Sequence, residues 1–170
     1  HLALPRVAAS ELDLTNDVFP FAQNIDAEAA MTAHIIYEAW DSDRPATCSS
    51  FVIEEIIRKR IGFAGLLITD DLNMQALSGD LAQRTARSLA AGCDIALHCK
   101  GDLAEMQQVA TAAGAMGEAT RARAQAALVQ RVDDRNRRAV ATAQLQGGVA
   151  LVDRLLRTGV LTPRAASPLL

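Results

Sequence analysis

"GLLITDDLNM", residues 65–74, sets an unbroken apolar run directly against two adjacent aspartates. The run is too short for a helix and too continuous for a half-exposed strand, so it reads as a parallel strand covered on both faces. A carboxylate held at the end of such a strand serves as a metal ligand, a general acid or base, or a nucleophile. Metal binding is the weaker case, because a hard cation wants further oxygen ligands and only Asp71 lies near Asp70 in sequence. The structural alternative is that one aspartate caps the next helix and the other is solvated. Side-chain alternation sends Asp70 and Asp71 to opposite faces.

Working outward, "SSFVIEEIIRKRIGF" (residues 49–63) places Val52, Ile53, Ile56 and Ile57 at helical spacing. Ser49 or Ser50 is a suitable N-cap, acids occupy the first turns, bases the last, and Gly62 is a stop. The same strand-and-helix phrase recurs. Leu81, Ala82, Ala86, Leu89 and Ala90 form a second helical stripe leading into the strand "CDIALHC"; upstream, "AMTAHIIY" reads as another short strand. Asp102 is the expected N-cap of a further helix carrying Leu103, Met106, Val109 and Ala110.

Strands about 30 residues apart with helices between them fit either a doubly wound sheet or a (β/α)8 barrel. The polar residues favour the barrel. His34, Asp70 with Asp71, and His98 with Lys100 fall at or just past the C-terminal ends of strands, where barrel active sites are built. No G-x-G-x-x-G turn is present to support a Rossmann fold. The expected fold is therefore α/β, a TIM-type (β/α)8 barrel represented by its last three βα units. The expected domains are residues 1–120, the barrel portion, and 121–170, a C-terminal helical extension. In the extension, "ATRARAQAALVQRV" and "AQLQGGVALVDRLLRTG" read as helices around a charged link, "DDRNRR", with "TPRAASPLL" frayed.

Composition limits the function classes. The chain is 50% hydrophobic with a net charge of −3, so no broad attraction to nucleic acid or an anionic membrane is expected. The arginines at 121, 123, 131, 135, 137 and 138 are mixed with acids and lack stacking aromatics, and are read as a solvated helix face. Cys48, Cys93 and Cys99 make neither a disulfide framework nor a zinc motif and suggest a reducing compartment. Cys93 and Cys99 read as small core residues. No apolar run is long enough to span a bilayer.

The stretch "IIRKRIGFAGLLITDDLN" resembles the signature of the family 3 glycoside hydrolases: two aliphatics, a basic residue, a charged helix end, glycine, three apolar strand residues, Ser or Thr, then aspartate. "DDLNM", "AAGCDIALHC" and "MTAHIIYEAWDSDRPAT" extend the resemblance to bacterial β-N-acetylglucosaminidases of peptidoglycan recycling, over roughly residues 1–110. The resemblance implies that Asp70 is the nucleophile, kept ionised by hydrogen bonds it receives. The subfamily carries a K-H-F-P-G-H-G loop ending in D-S-H, whose aspartate orients a histidine general acid/base. "HLALP" resembles the continuation of that motif, and the resemblance implies that His1 is the acid/base. A terminal histidine left by the position of a cut is the alternative.

The implied activity is a retaining exo-β-N-acetylglucosaminidase acting on a small carbohydrate or muropeptide in the cytoplasm, with no cofactor and no metal. A phosphorylase of the same subfamily and a non-catalytic partial barrel are the competing readings. Three βα units leave open strand edges, so the chain is expected to be inactive unless the missing strands complete it. His34 is a candidate to line the sugar site, against the alternative of a hydrogen-bonded structural histidine. His98 and Lys100 are expected at the rim, and Asp94, at the far end of its strand, is expected to serve stability.

Overall fold

The computed structural model describes residues 3–145; His1 and the readings that fall on residues 146–170 lie outside them. In chain order the elements are β1 (Arg6–Val7), α1 (Glu11–Asp17), α2 (Phe19–Ala22), β2 (Ala29–Met31), β3 (Ile36–Tyr37), α3 (Val52–Ile61), β4 (Leu66–Asp71), α4 (Leu81–Ala90), β5 (Ile95–Leu97), α5 (Leu103–Ala113) and α6 (Glu118–Leu145). A 3-10 turn, Ala46–Cys48, precedes α3. The chain forms two compact units that meet in sequence at Ala127 and Leu128.

In the first unit β2, β4 and β5 form a parallel sheet in that order, with Ala30 opposite Leu67 and Ile68 opposite Ile95. Helices α3 and α4 make the crossovers, as the spacing predicts. The strand expected over "AMTAHIIY" is instead two. β2 pairs with β4, whereas β3 pairs in parallel with β1, Arg6 opposite Ile36. Side-chain bonds explain the break. The Thr32 amide still reaches the Ile68 carbonyl at 2.9 Å, but the Ile36 amide turns to the Pro5 carbonyl at 3.0 Å. Between them, Thr32 and His34 are both bound to Thr47.

Helix α3 starts where the sequence places it, with the Val52 amide donating to Ser49 Oγ at 3.2 Å. It is wound as a π-helix, and its last turn closes from the Gly62 amide onto the Ile57 carbonyl, with Gly62 in the left-handed region at φ 85°. Val52, Ile53 and Ile56 are buried. Ile53 packs with Phe63, Leu67, Ala91 and Cys93 in the main apolar cluster. Gly92 lets helix and strand approach: a Cβ there would stand 2.9 Å from Ile53 Cγ2.

Strand β4 is covered less evenly than its composition predicts. Leu67 and Thr69 are buried on the helix side, while Leu66 and Ile68 on the opposite face are half-buried. The apolar run is continuous, but only one face is closed by the described residues.

The stripe of α4 also differs from expectation. Leu81, Thr85 and Ser88 are its buried residues, and Ala86 and Ala90 are exposed. Thr85 Oγ1 donates to the Leu81 carbonyl at 2.7 Å and Ser88 Oγ to the Thr85 carbonyl at 3.0 Å. Hydroxyls satisfied within their own helix can be buried at little cost.

Asp102 caps α5 as expected, accepting the Glu105 amide at 3.0 Å. Helix α1 carries its own capping box, Ser10 with Asp13. In the second unit α6 runs on to Leu145, so "DDRNRR" is helical and no link. An Arg137–Asp134 ion pair at i, i+3 supports that helix.

Candidate active site

Strand β4 delivers the two aspartates through an irregular ladder. Ile68 faces Ile95 and Asp71 faces Leu97, so three steps along β4 match two along β5. Such a bulge re-aims side chains and leaves a ladder group unpaired. Thr69 fills the gap: its Oγ1 accepts the Leu97 amide at 2.9 Å. The Ser/Thr position of the signature therefore has a physical role here, as a side-chain acceptor standing in for a main-chain carbonyl.

Asp70 Oδ1 accepts the amide of Asp71 at 2.8 Å, and Asp70 Oδ2 takes no hydrogen bond from the described residues. Asp71 is tied down far more heavily. Its Oδ1 accepts the amides of Asn73 at 3.1 Å and Cys99 at 3.2 Å, joining the β4 turn to the end of β5. Its carbonyl accepts the Met74 amide at 3.1 Å and His34 Nε2–H at 3.0 Å. Of the neighbouring carboxylates, Asp71 builds the turn and Asp70 is presented by it.

The following loop is clamped from α4. Arg84 Nη1 donates to the carbonyls of Leu72 at 2.8 Å and Met74 at 3.1 Å, and its Nε to Gly79 at 2.9 Å. Sequence reading missed Arg84, Thr32 and Thr47, since an arginine in a helix and threonines in a loop carry no local signal of long-range bonds. Thr69 was legible only as a conforming signature position.

Of the remaining candidates, His1 lies outside the described residues. His34 is buried, with Nδ1 at 2.8 Å from Thr47 Oγ1 and Nε2 on Asp71, so both ring nitrogens are engaged within the protein. His98 is not a rim residue: its side chain is buried beside Glu105, 3.4 Å from Oε2, whereas Lys100 is exposed and pairs with Glu105 at 2.7 Å. Cys93 is core as expected, but Cys99, just beyond β5, is exposed.

Asp94 sits at the opposite end of the sheet. Its Oδ2 accepts Arg58 Nη2 at 2.8 Å and the Leu67 amide at 2.9 Å; its Oδ1 accepts Arg123 at 2.7 Å and Thr120 at 3.0 Å. Arg123 is thus held by a buried carboxylate and does not belong to a solvated face. The side chains of Arg131 and Arg138 lie outside the described residues. A groove of about 570 Å³ runs along β5, α5 and the start of α6, lined by Leu97, Met106 and Val109, and does not include Asp70. No helix among the described residues is long and apolar enough to cross a membrane.

Residues 1–134 match the family described as glycosyl hydrolase family 3 N terminal domain. A beta-hexosaminidase of Psychromonas ingrahamii is 38% identical over 105 residues, covering 58% of this chain and 31% of its own length. The beta-hexosaminidase of Tolumonas auensis is 41% identical over 106 residues, with the same 58% and 31% coverage. The crystal structure of NagZ from Neisseria gonorrhoeae in complex with N-trifluoroacetyl-D-glucosamine is 31% identical, covering 75% of this chain and 38% of that one, at a TM-score of 0.62. A glycoside hydrolase family 3 beta-N-acetylglucosaminidase from Paenibacillus is 25% identical and covers 98% of this chain and 29% of that one, at 0.61. The chain thus spans under a third of the length of these curated relatives. Its parallel strands and crossover helices are part of a TIM-type barrel. The chain belongs to glycosyl hydrolase family 3.

Proposed function

We propose that the chain supplies the nucleophile-bearing part of a retaining exo-β-N-acetylglucosaminidase. Asp70 is the nucleophile. One of its carboxylate oxygens attacks the anomeric carbon of a terminal GlcNAc as the glycosidic C–O bond breaks. The general acid, His1, passes its proton to the leaving oxygen. Water then attacks the covalent glycosyl-aspartate, giving its proton to the neutral histidine and releasing Asp70. A histidine, with an ordinary pKa of about 6.5, can serve as acid in the first step and base in the second near neutral pH.

The observation that carries this reading is the contrast at the end of β4. Asp71 Oδ1 accepts the amides of Asn73 and Cys99 and its carbonyl accepts the Met74 amide and His34 Nε2–H, so Asp71 builds the turn, whereas Asp70 accepts one bond among the described residues, from the Asp71 amide. The beta-hexosaminidases and β-N-acetylglucosaminidases among the relatives supply the substrate class. Within that class the substrate is GlcNAc linked to 1,6-anhydro-MurNAc in peptidoglycan fragments, met in the cytoplasm. Residues 1–120 are the barrel portion and the helix beyond is an extension of it.

The test is hydrolysis of p-nitrophenyl N-acetyl-β-D-glucosaminide, with and without inorganic phosphate, by the chain joined to the strands that complete its barrel. Release of free GlcNAc at a rate indifferent to phosphate, abolished in Asp70→Ala, supports the hydrolase. GlcNAc 1-phosphate among the products indicates the phosphorylase, and turnover unchanged in Asp70→Ala overturns the assignment.

A further inference from the structure

Behind the Asp70–Asp71 turn, three buried polar side chains form one continuous line. Thr32 Oγ1 lies 2.9 Å from Thr47 Oγ1, Thr47 Oγ1 lies 2.8 Å from His34 Nδ1, and His34 Nε2 lies 3.0 Å from the Asp71 carbonyl. All three residues are buried.

The direction of each bond follows from what its ends can do. A carbonyl only accepts, so the proton of the neutral imidazole is on Nε2. Nδ1 is then an acceptor, Thr47 must donate its hydroxyl to it, and the lone pairs of Thr47 accept the hydroxyl proton of Thr32. The line has a single polarity and ends on the main chain of the residue after Asp70. Asp71 passes the constraint on, because its own amide donates to Asp70 Oδ1 at 2.8 Å.

We infer that His34 is a positioning residue, which through its Nε2–H bond to Asp71 sets the turn that aims the Asp70 carboxylate. This rests on the reading of Asp70 as nucleophile. Having both nitrogens engaged inside the protein, His34 neither touches the sugar nor exchanges protons with it. The Asp71 carbonyl fixes its tautomer, Thr47 satisfies Nδ1 and holds the ring, and Thr32 fixes the rotor of Thr47. A polar line of this kind, fully satisfied in a buried site, holds one geometry where a purely apolar contact would allow several.

The test compares the full chain with His34→Leu, His34→Gln and Thr47→Val. Glutamine can still offer an N–H to the Asp71 carbonyl, and leucine cannot. In His34→Leu, hydrogen exchange at the amides of Asp71, Asn73 and Cys99 is expected to accelerate at least about tenfold, with the amides of Leu67 and Asp94 unchanged. His34→Gln restores most of that protection. The imidazole nitrogen signals of the unsubstituted chain are expected to report the Nε2–H form, and Thr47→Val to keep that form while the Nδ1 signal loses its hydrogen-bond shift. Turnover of p-nitrophenyl N-acetyl-β-D-glucosaminide by His34→Leu is expected to fall about 100-fold in kcat with KM within about twofold, and to recover in His34→Gln.

Unchanged exchange at Asp71 in His34→Leu, or an Nδ1–H imidazole, overturns the inference. So does a leucine variant with full kcat per folded molecule. Absence of turnover in the unsubstituted chain is the outcome expected of a barrel part without its remaining strands, and the exchange ratios then decide the role of His34. Should His34→Leu fail to fold, Thr47→Val and His34→Gln decide it by the same exchange and imidazole signals.

Discussion

The Arg58 guanidinium meets the Asp94 carboxylate at 2.8 Å, with side-chain exposures of only 11% and 2%. The same carboxylate receives Arg123, Thr120 and the Leu67 amide, so one buried acid ties the start of α6 and the end of α3 to the sheet. Removing one partner from a buried ion pair leaves an uncompensated charge, typically at a cost of about 3–5 kcal/mol. Asp94→Ala is expected to lose that much in urea unfolding. Arg123 is 36% exposed, so Arg123→Ala is expected to cost only about 1 kcal/mol. Equal losses in the two variants would contradict this account of the cluster.

The same group sets an acid limit. Burial alone would raise the Asp94 carboxyl, but the Leu67 amide, Arg123 and Thr120 outweigh it and hold the group below its ordinary value. Asp41 behaves alike: the Ser49 hydroxyl and the Asp43 and Arg44 amides overcome its burial. A carboxyl depressed in the folded state contributes stability above its unfolded pKa of about 3.9 and loses it as pH falls through the folded value. Urea midpoints are therefore expected to drop on going from about pH 6 to about pH 3, and to drop less in Asp94→Asn. An equal drop in that variant would exclude Asp94 as a source of the acid limb.

Thr69 offers a cleaner exchange of one atom for another. Thr69→Val keeps the branched shape but removes the acceptor of the Leu97 amide, leaving an unsatisfied donor at a cost of about 1–3 kcal/mol. Thr69→Ser keeps the oxygen and is expected to stay within about 1 kcal/mol of the parent. Hydrogen exchange at Leu97 checks the cause: it should quicken in the valine variant and not in the serine variant.

The three thiols separate by environment. Burial pushes Cys93 up to about 12, and the polar Thr32 hydroxyl nearby only partly opposes it. Cys48 is raised by burial against the pull of Arg87. Cys99 is exposed, and is raised by desolvation and by Asp71 and Asp70. Access and thiolate fraction together govern alkylation. Iodoacetamide at about pH 8 is expected to label Cys99 first and Cys93 last, as read by peptide mass spectrometry. Labelling of Cys93 ahead of Cys99 would show that the Cys93 side of α4 opens.

Much of this was legible because apolar spacing in α3 and the run in β4 are local signals. Val52, Ile53 and Ile56 pack where their period directs them, and Ser49 and Asp102 cap the helices expected of them. The structure departs from those signals where side-chain polar atoms find partners that hydropathy does not encode. Thr85 and Ser88 are buried because their hydroxyls bond to their own helix, and no hydropathy pattern conveys that. "AMTAHIIY" divides because His34 and Thr32 bind Thr47, a contact 13 to 15 residues away in sequence. Asp70 was identified by its place in a signature, while the reason it differs from Asp71 lies in amides from Asn73 and Cys99.

The most direct measurement is to trap the covalent intermediate. The protein is incubated with an activated fluoro-substituted N-acetylglucosaminyl donor that forms the glycosyl-enzyme faster than water removes it, then digested and sequenced by mass spectrometry. The account predicts one glycosyl residue esterified to Asp70, absent from Asp70→Ala and still formed on Asp71→Asn. An adduct on Asp71 or elsewhere would contradict it, as would turnover of the donor through an enzyme that never carries the sugar.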